Sequence, residues 1–321
     1  MKKFASILIA ASLIAALSGC SDSSNKNQTN PVITATESDT VTLPSSDSDS
    51  LSEAEADVTD SNVYNKEAVL DAYKSGDASH LNDFNLQILD KLKVWLSDIY
   101  QDGMSEEEIV IAAHDYIVTH CLYDTSALSP FHKKVEHTDS PYGVMVSGYG
   151  ICSGYTSTFQ LLMDALGIEC ISVSGEALDE EHAWNMVRLD SEWYHVDCTW
   201  DDFVPDFEAR MPFHMYLLVD DSTMEVSHIW EHDSAPSASS MDKYYLTQSG
   251  LYADNVDDLN RLVSEAKRSG QQHAEIVVPK SADFDFPTSQ DAHAYAVWNI
   301  DMGEYNVNVY YLTEDVLNLP M

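Results

Sequence analysis

Apolar residues recur at three- and four-residue spacing through the first structured half of the chain, and at two-residue spacing after residue 170. The first period is helical and the second is that of a half-buried strand. Residues 64–75 predict a short helix ending at Gly76, and Leu86, Leu89, Leu92, Leu96 and Ile99, with Ile88 and Trp95, predict a second. Ser105 with Glu108 reads as a capping box, opening a helix whose apolar face is Ile109, Ala112, Ala113, Tyr116 and Ile117. Pro130 and Pro141 mark the loop that follows. A helix over 152–166 carries the stripe Tyr155, Phe159, Leu162, Met163 and Leu166, and Gly167 stops it.

Strands are predicted over 170–174, 182–189 and 193–200, with Asp190-Ser191 as the turn between the last two, and a further strand over 213–219. Beyond residue 245 the pattern reads helix (256–268), strand (273–278), helix (289–299) and strand (305–312). These form either a small appendage or an extension of the main sheet. The fold class is therefore α+β: a main domain over 63–245, with helices on an antiparallel sheet, and a small C-terminal α/β segment over 246–321.

The first 62 residues fit neither period. Lys2 and Lys3 precede an apolar run over 4–16, too short for a membrane span of about 20 residues but suited to a signal peptide over 1–19. Leu17-Ser-Gly-Cys20 is similar to a bacterial lipobox, in which Cys20 is the lipid-attachment residue. The expected location is the outer face of a bacterial cell membrane, with contact to the membrane through that lipid alone. Residues 20–62 are Ser, Thr, Asn and acids with few large apolar side chains; they cannot bury enough surface to offset chain entropy and predict a disordered tether. The formal net charge of −38 excludes nucleic-acid binding and electrostatic docking on anionic lipid.

Three segments bring reactive side chains: Gly150-Ile-Cys-Ser-Gly-Tyr155, His182-Ala-Trp-Asn185 and Trp193-Tyr-His-Val-Asp-Cys-Thr-Trp200. A free thiol titrates near about 8.5 and only its thiolate is a strong nucleophile. Cys152 at a helix N-terminus, beside the imidazolium of His182, gains from the macrodipole and from an ion pair. The Gly residues on either side leave room for a substrate carbonyl, and the Cys152 N–H is a candidate oxyanion donor. If Asp190-Ser191 is a two-residue turn, Leu189 pairs with Glu192 and Asp197 falls opposite Trp184, diagonal to His182 on one side of the sheet. Diagonal neighbours lie about 7–8 Å apart, within reach of a carboxylate–imidazole hydrogen bond.

His195 shares that face and is the weaker rival for the catalytic histidine. Trp184, Trp193 and Trp200 read as core or cleft walls. A metal reading of Cys152, Cys198, His182, His195 and Asp197 lacks compact ligand spacing, so neither metal nor cofactor is expected. Cys121, Cys170 and Cys198 allow at most one disulfide and are expected to be buried and reduced.

With these motifs in this order, His182 thirty residues after Cys152 and Asp197 fifteen further on, the chain resembles the transglutaminase-like superfamily. His114-Asp-Tyr-Ile-Val118 leading to Tyr123-Asp124, and Phe213-His-Met-Tyr-Leu-Leu218, are similar to flanking segments of that family; the resemblance covers about 106–230. It implies a papain-like core with the nucleophile helix packed on an antiparallel sheet. It also implies a thioester acyl-enzyme resolved by water or by an amine, with Cys152, His182 and Asp197 as triad. The implied partner is a protein or peptide substrate, a cell-wall peptide included. The contrasting reading is a non-catalytic cell-surface binding module that keeps the fold.

Overall fold

A computed structural model describes residues 62–128, 135–202, 212–271, 273–281 and 295–311. The expected leader, Cys20 and nearly all of the tether lie outside these residues, as do 289–294 of the last expected helix. No helix among the described residues is long and apolar enough to cross a membrane.

Three helices open the structure: α1 (Lys66–Ser75), α2 (Asp83–Ile99) and α3 (Glu106–His120). Each starts at a side-chain cap, Asn65, Asn82 and Ser105 respectively, and the Ser105–Glu108 capping box is present in both directions. Short parallel strands β1 (Leu122–Tyr123) and β2 (Tyr149–Gly150) deliver the chain to α4 (Cys152–Leu166). Gly167 ends α4 in the left-handed region at φ 81°, its N–H returned to the Met163 carbonyl.

The period-two region forms an antiparallel sheet in the order β6-β5-β4-β3-β7. Its strands are β3 (Cys170–Ala177), β4 (Glu180–Leu189), β5 (Glu192–Val196), β6 (Leu217–Val219) and β7 (His228–Ile229). The Asp190-Ser191 turn has both residues at positive φ, 49° and 75°, so Leu189 pairs with Glu192 as expected. Leu178-Asp179 makes a second turn of the same kind between β3 and β4. Strands β3 and β4 therefore run three and two residues further than the pattern suggested.

Two strand expectations shrink for one reason: carboxylates take the backbone donors. Strand β5 stops at Val196 because Asp197 Oδ1 accepts the N–H groups of Thr199 (2.9 Å) and Trp200 (3.1 Å). Most of 213–219 is not strand: the His214 N–H goes to Glu275 Oε1 at 2.9 Å and the Tyr216 N–H to Asp201 at 3.1 Å. Leu218 sits at φ 64°, and only Leu217–Val219 joins the sheet.

Two cores cover the two faces. Val187, Leu189, Tyr194 and Val196 pack with α1–α4. Trp184, Met186 and Val219 pack with Trp230 and with Val277, Met302, Val307 and Val309 of a second sheet. That sheet, in the order β8-β10-β9, contains β8 (His273–Pro279), β9 (Tyr295–Met302) and β10 (Tyr305–Tyr311). The short helices α5 (Asp221–Met224) and α6 (Tyr245–Gln248) precede α7 (Val256–Arg268), whose apolar side packs on β8. The C-terminal segment is thus a separate sheet stacked on the main one. The helix expected over 289–299 is corrected: 295–299 belong to β9, which pairs with β10 across a two-residue turn with Gly303 at φ 72°. Strand pairing on β10 decides conformation there, over the helix-like spacing of apolar residues.

Candidate active site

Cys152 is the first residue of α4, and the N-cap Ile151 offers no side chain to the helix's first N–H groups. The glycines around it do a different job from the one their spacing suggested. A Cβ on Gly154 would stand 2.2 Å from the Thr138 carbonyl oxygen, and one on Gly150 2.7 Å from Val144 Cγ2. They allow the 138–144 segment to lie against the helix start, where Thr138 also accepts the Ile151 N–H at 2.9 Å. The nucleophile position is fixed by this close backbone packing.

His182, near the start of β4, and Asp197, just past the end of β5, meet as the register required. His182 Nε2 donates to Asp197 Oδ2 at 2.6 Å. With Nε2 occupied, Nδ1 is the ring nitrogen left for the Cys152 thiol, and the two groups shift each other's pKa. Asp197 is buried at 1% exposure, so its charge needs partners. Oδ2 also accepts from His228 Nε2 at 3.1 Å, and Oδ1 holds the Thr199 and Trp200 N–H groups. Four donors keep the carboxylate ionised and its position set.

The electrostatics follow. Burial works against the Asp197 charge, but His182 and His228 outweigh it and hold the carboxyl well below the usual carboxylate range. Burial also disfavours an imidazolium, yet Asp197, and then Cys152, push His182 up to about 10. Burial by itself would raise the Cys152 thiol; the hydrogen bond and charge of His182, with the N–H groups of Ala183 and Ser153, bring it below its ordinary value. These opposite shifts both favour a thiolate–imidazolium pair. Cys170 and Cys198, buried without such partners, are pushed up; neither they nor the buried Cys121 form a disulfide.

His195 is brought elsewhere. It accepts from Trp184 Nε1 at 2.9 Å on Nδ1 and meets Asp221 Oδ1 at 2.9 Å on Nε2, so it reaches neither Cys152 nor Asp197. Trp184 and Trp200 flank the His182 ring at 5.9 Å and 6.1 Å between centroids. Sequence reasoning missed His228. Burial, together with repulsion from His182 and His195, lowers its pKa despite Asp197, so it stands as a neutral donor. Its Nδ1 meets Ser227 Oγ at 2.8 Å, and Ser227 Oγ lies 3.1 Å from the Tyr216 hydroxyl. No local motif announces it: 31 residues separate it from Asp197, and only sheet pairing of β7 on β3 brings it in.

Three comparisons bear on this geometry. Kyphoscoliosis peptidase of Mus musculus and of Homo sapiens are each 28% identical to this chain over 123 residues, 35% of this chain and 18% of theirs. The chain thus spans about a fifth of the length of the curated relatives it matches. A solved transglutaminase (TGase) crystal structure aligns with a TM-score of 0.32 at 17% identity, over 43% of this chain and 38% of that one. The family model described as transglutaminase-like superfamily matches residues 94–198, the stretch that holds Cys152, His182 and Asp197. That match covers about a third of the chain, and it is this stretch, within the α+β core, that is similar to the transglutaminase-like superfamily.

Proposed function

We propose that this protein is an extracytoplasmic, lipid-anchored cysteine acyl-transfer enzyme that opens amide bonds through a thioester. The single observation carrying this reading is that the buried Asp197 holds Nε2 of His182, the ring whose interaction with Cys152 brings the thiol below its ordinary value. Cys152 is the nucleophile, His182 the general base and then acid, and Asp197 the residue that orients His182 and stabilises its cation.

The thiolate attacks the amide carbonyl, and charge develops on its oxygen at the N-terminal end of α4, where backbone N–H groups and the helix dipole favour it. His182 hands its proton to the leaving amine and the C–N bond breaks, leaving an acyl-thioester on Cys152. Neutral His182 then takes a proton from water, or from an amine, as that nucleophile attacks the thioester and returns the thiol. Hydrolysis is favoured over cross-linking: water is plentiful at an exposed surface, and the curated relatives carry a peptidase name. A surface protein or a cell-wall peptide fits this chemistry as substrate. The anchoring rests on Leu17-Ser-Gly-Cys20 behind its apolar run.

The test is mass spectrometry of the full chain incubated with glutaminyl peptides, with and without a primary amine. An acyl adduct on Cys152, released by hydroxylamine and missing in Cys152→Ala, supports the reading. Unmodified Cys152 across such donors, with no product release, counts against it and favours a binding module that keeps the fold.

A further inference from the structure

A second His–Asp–His cluster lies away from the thiol, between the helical layer and the C-terminal sheet. His114 and Asp115 come from α3, and His214 from the segment before β6. Asp115 Oδ1 stands 3.0 Å from His114 Nδ1 and 3.2 Å from His214 Nε2. Two bonds of about 2.0 Å at a tetrahedral centre separate their ligand atoms by about 3.3 Å, close to both spacings.

The decisive feature is how His214 points. Its Nε2 is buried and near a carboxylate oxygen, yet it makes no hydrogen bond to that oxygen or to any other group among the described residues. On the other side of Asp115, His114 Nδ1 is hydrogen-bonded to the same oxygen at 3.0 Å, through a proton that a bound cation would displace. Both rings are also supported from behind by carboxylates. His114 Nε2 meets Asp201 Oδ2 at 3.1 Å, and His214 Nδ1 meets Glu275 Oε2 at 2.9 Å. Those carboxylates are in turn held by the backbone, Asp201 by the Tyr216 N–H and Glu275 by the His214 N–H. A carboxylate behind each imidazole fixes the tautomer that turns the other nitrogen's lone pair outward, which is the usual support of metal-ligating histidines. Tyr245 stacks on the His214 ring at 4.0 Å between centroids and locks its plane. The side chain of Asp115 is 33% exposed, which gives an ion a way in and leaves a coordination position for water.

We infer that His114 Nδ1, Asp115 Oδ1 and His214 Nε2 form a binding site for a divalent transition-metal cation of the zinc class. Two imidazoles and one carboxylate suit zinc or cobalt better than calcium or magnesium, which prefer all-oxygen sets. Glu275 belongs to β8, so an ion held here clasps the C-terminal sheet to α3 and to the loop after Asp197.

Metal titration of the full chain tests this, after stripping with a chelator and with Cys152→Ser in place so that the reactive thiol cannot compete. One equivalent of Zn2+ should bind, and Co2+ should give the strong visible bands of a four- or five-coordinate N/O site without a thiolate charge-transfer band. Asp115→Asn should weaken Zn2+ by about 100-fold or more, and Glu275→Gln by about tenfold. Circular dichroism identifies any variant that fails to fold, and the cobalt spectrum of the unaltered cluster needs no variant in the cluster at all. A weak octahedral cobalt spectrum, no stoichiometric Zn2+ uptake, or equal affinity in a folded Asp115→Asn chain would overturn the inference.

Discussion

Two clusters in this molecule each set one aspartate between two histidines: Asp197 between His182 and His228, and Asp115 between His114 and His214. Their residue types are the same and their chemistry is not, because the second nitrogen of each ring faces something different. At Asp197, one ring leaves its free nitrogen for a thiol at a helix start, and the other rests on a serine hydroxyl. At Asp115, both outer nitrogens rest on carboxylates. The first arrangement is suited to hold and pass a proton. The second pins both rings by their outer nitrogens and sets both inner nitrogens beside one oxygen of Asp115. The lesson is that a histidine's role is set by the partner of its other nitrogen.

That contrast can be broken by substitution. Cys152→Ala should reduce amide turnover by a factor on the order of 10^4–10^6, measured as product release, since the other groups act only through the thiolate. Asp197→Asn keeps the shape but loses the charge that supports the His182 cation; a loss on the order of 10^2–10^4-fold in kcat is expected. Gly154→Ala forces a Cβ against the Thr138 carbonyl, and a thermal melt should show a destabilisation of about 1–3 kcal/mol with lower thiol reactivity. His228→Asn removes one hydrogen bond to Asp197, and a kcat loss of about tenfold follows, the scale of a single bond of about 1–1.5 kcal/mol.

The pH dependence of stability separates the two partners in the first cluster. The His182 pKa is raised, so its stabilising contribution is complete below about 6.5 and disappears as pH climbs through about 10. The Asp197 pKa is lowered; its contribution is present above about 3.8 and lost as pH falls toward its folded value. Melting temperatures should therefore drop on the alkaline side for the native chain, and His182→Gln should flatten that limb.

Much of the first cluster was legible because a two-residue turn fixes register. Asp190-Ser191 sets Leu189 against Glu192, and every later pair through Asn185 and Val196 follows, which carries Asp197 to His182. Helices were legible from caps and stops, as at Ser105 and Gly167. The rest depended on tertiary competition. The 213–216 backbone turned to Glu275 and Asp201 in place of a neighbouring strand, and 295–299 took strand geometry from β10. The second cluster draws on residues 114–115, 201, 214 and 275, whose separation leaves no spacing to recognise. The same holds for His228 behind Asp197.

The most direct measurement is the pH dependence of Cys152 alkylation by iodoacetamide, located by mass spectrometry, in the native full chain and in His182→Ala. An activated pair requires selective labelling of Cys152 over Cys121, Cys170 and Cys198 well below pH 7, with the His182→Ala profile moved upward toward an ordinary thiol near about 8.5. A Cys152 that labels like an ordinary thiol in both proteins, or with the same profile in both, would contradict the thiolate–imidazolium pair on which the proposed chemistry rests.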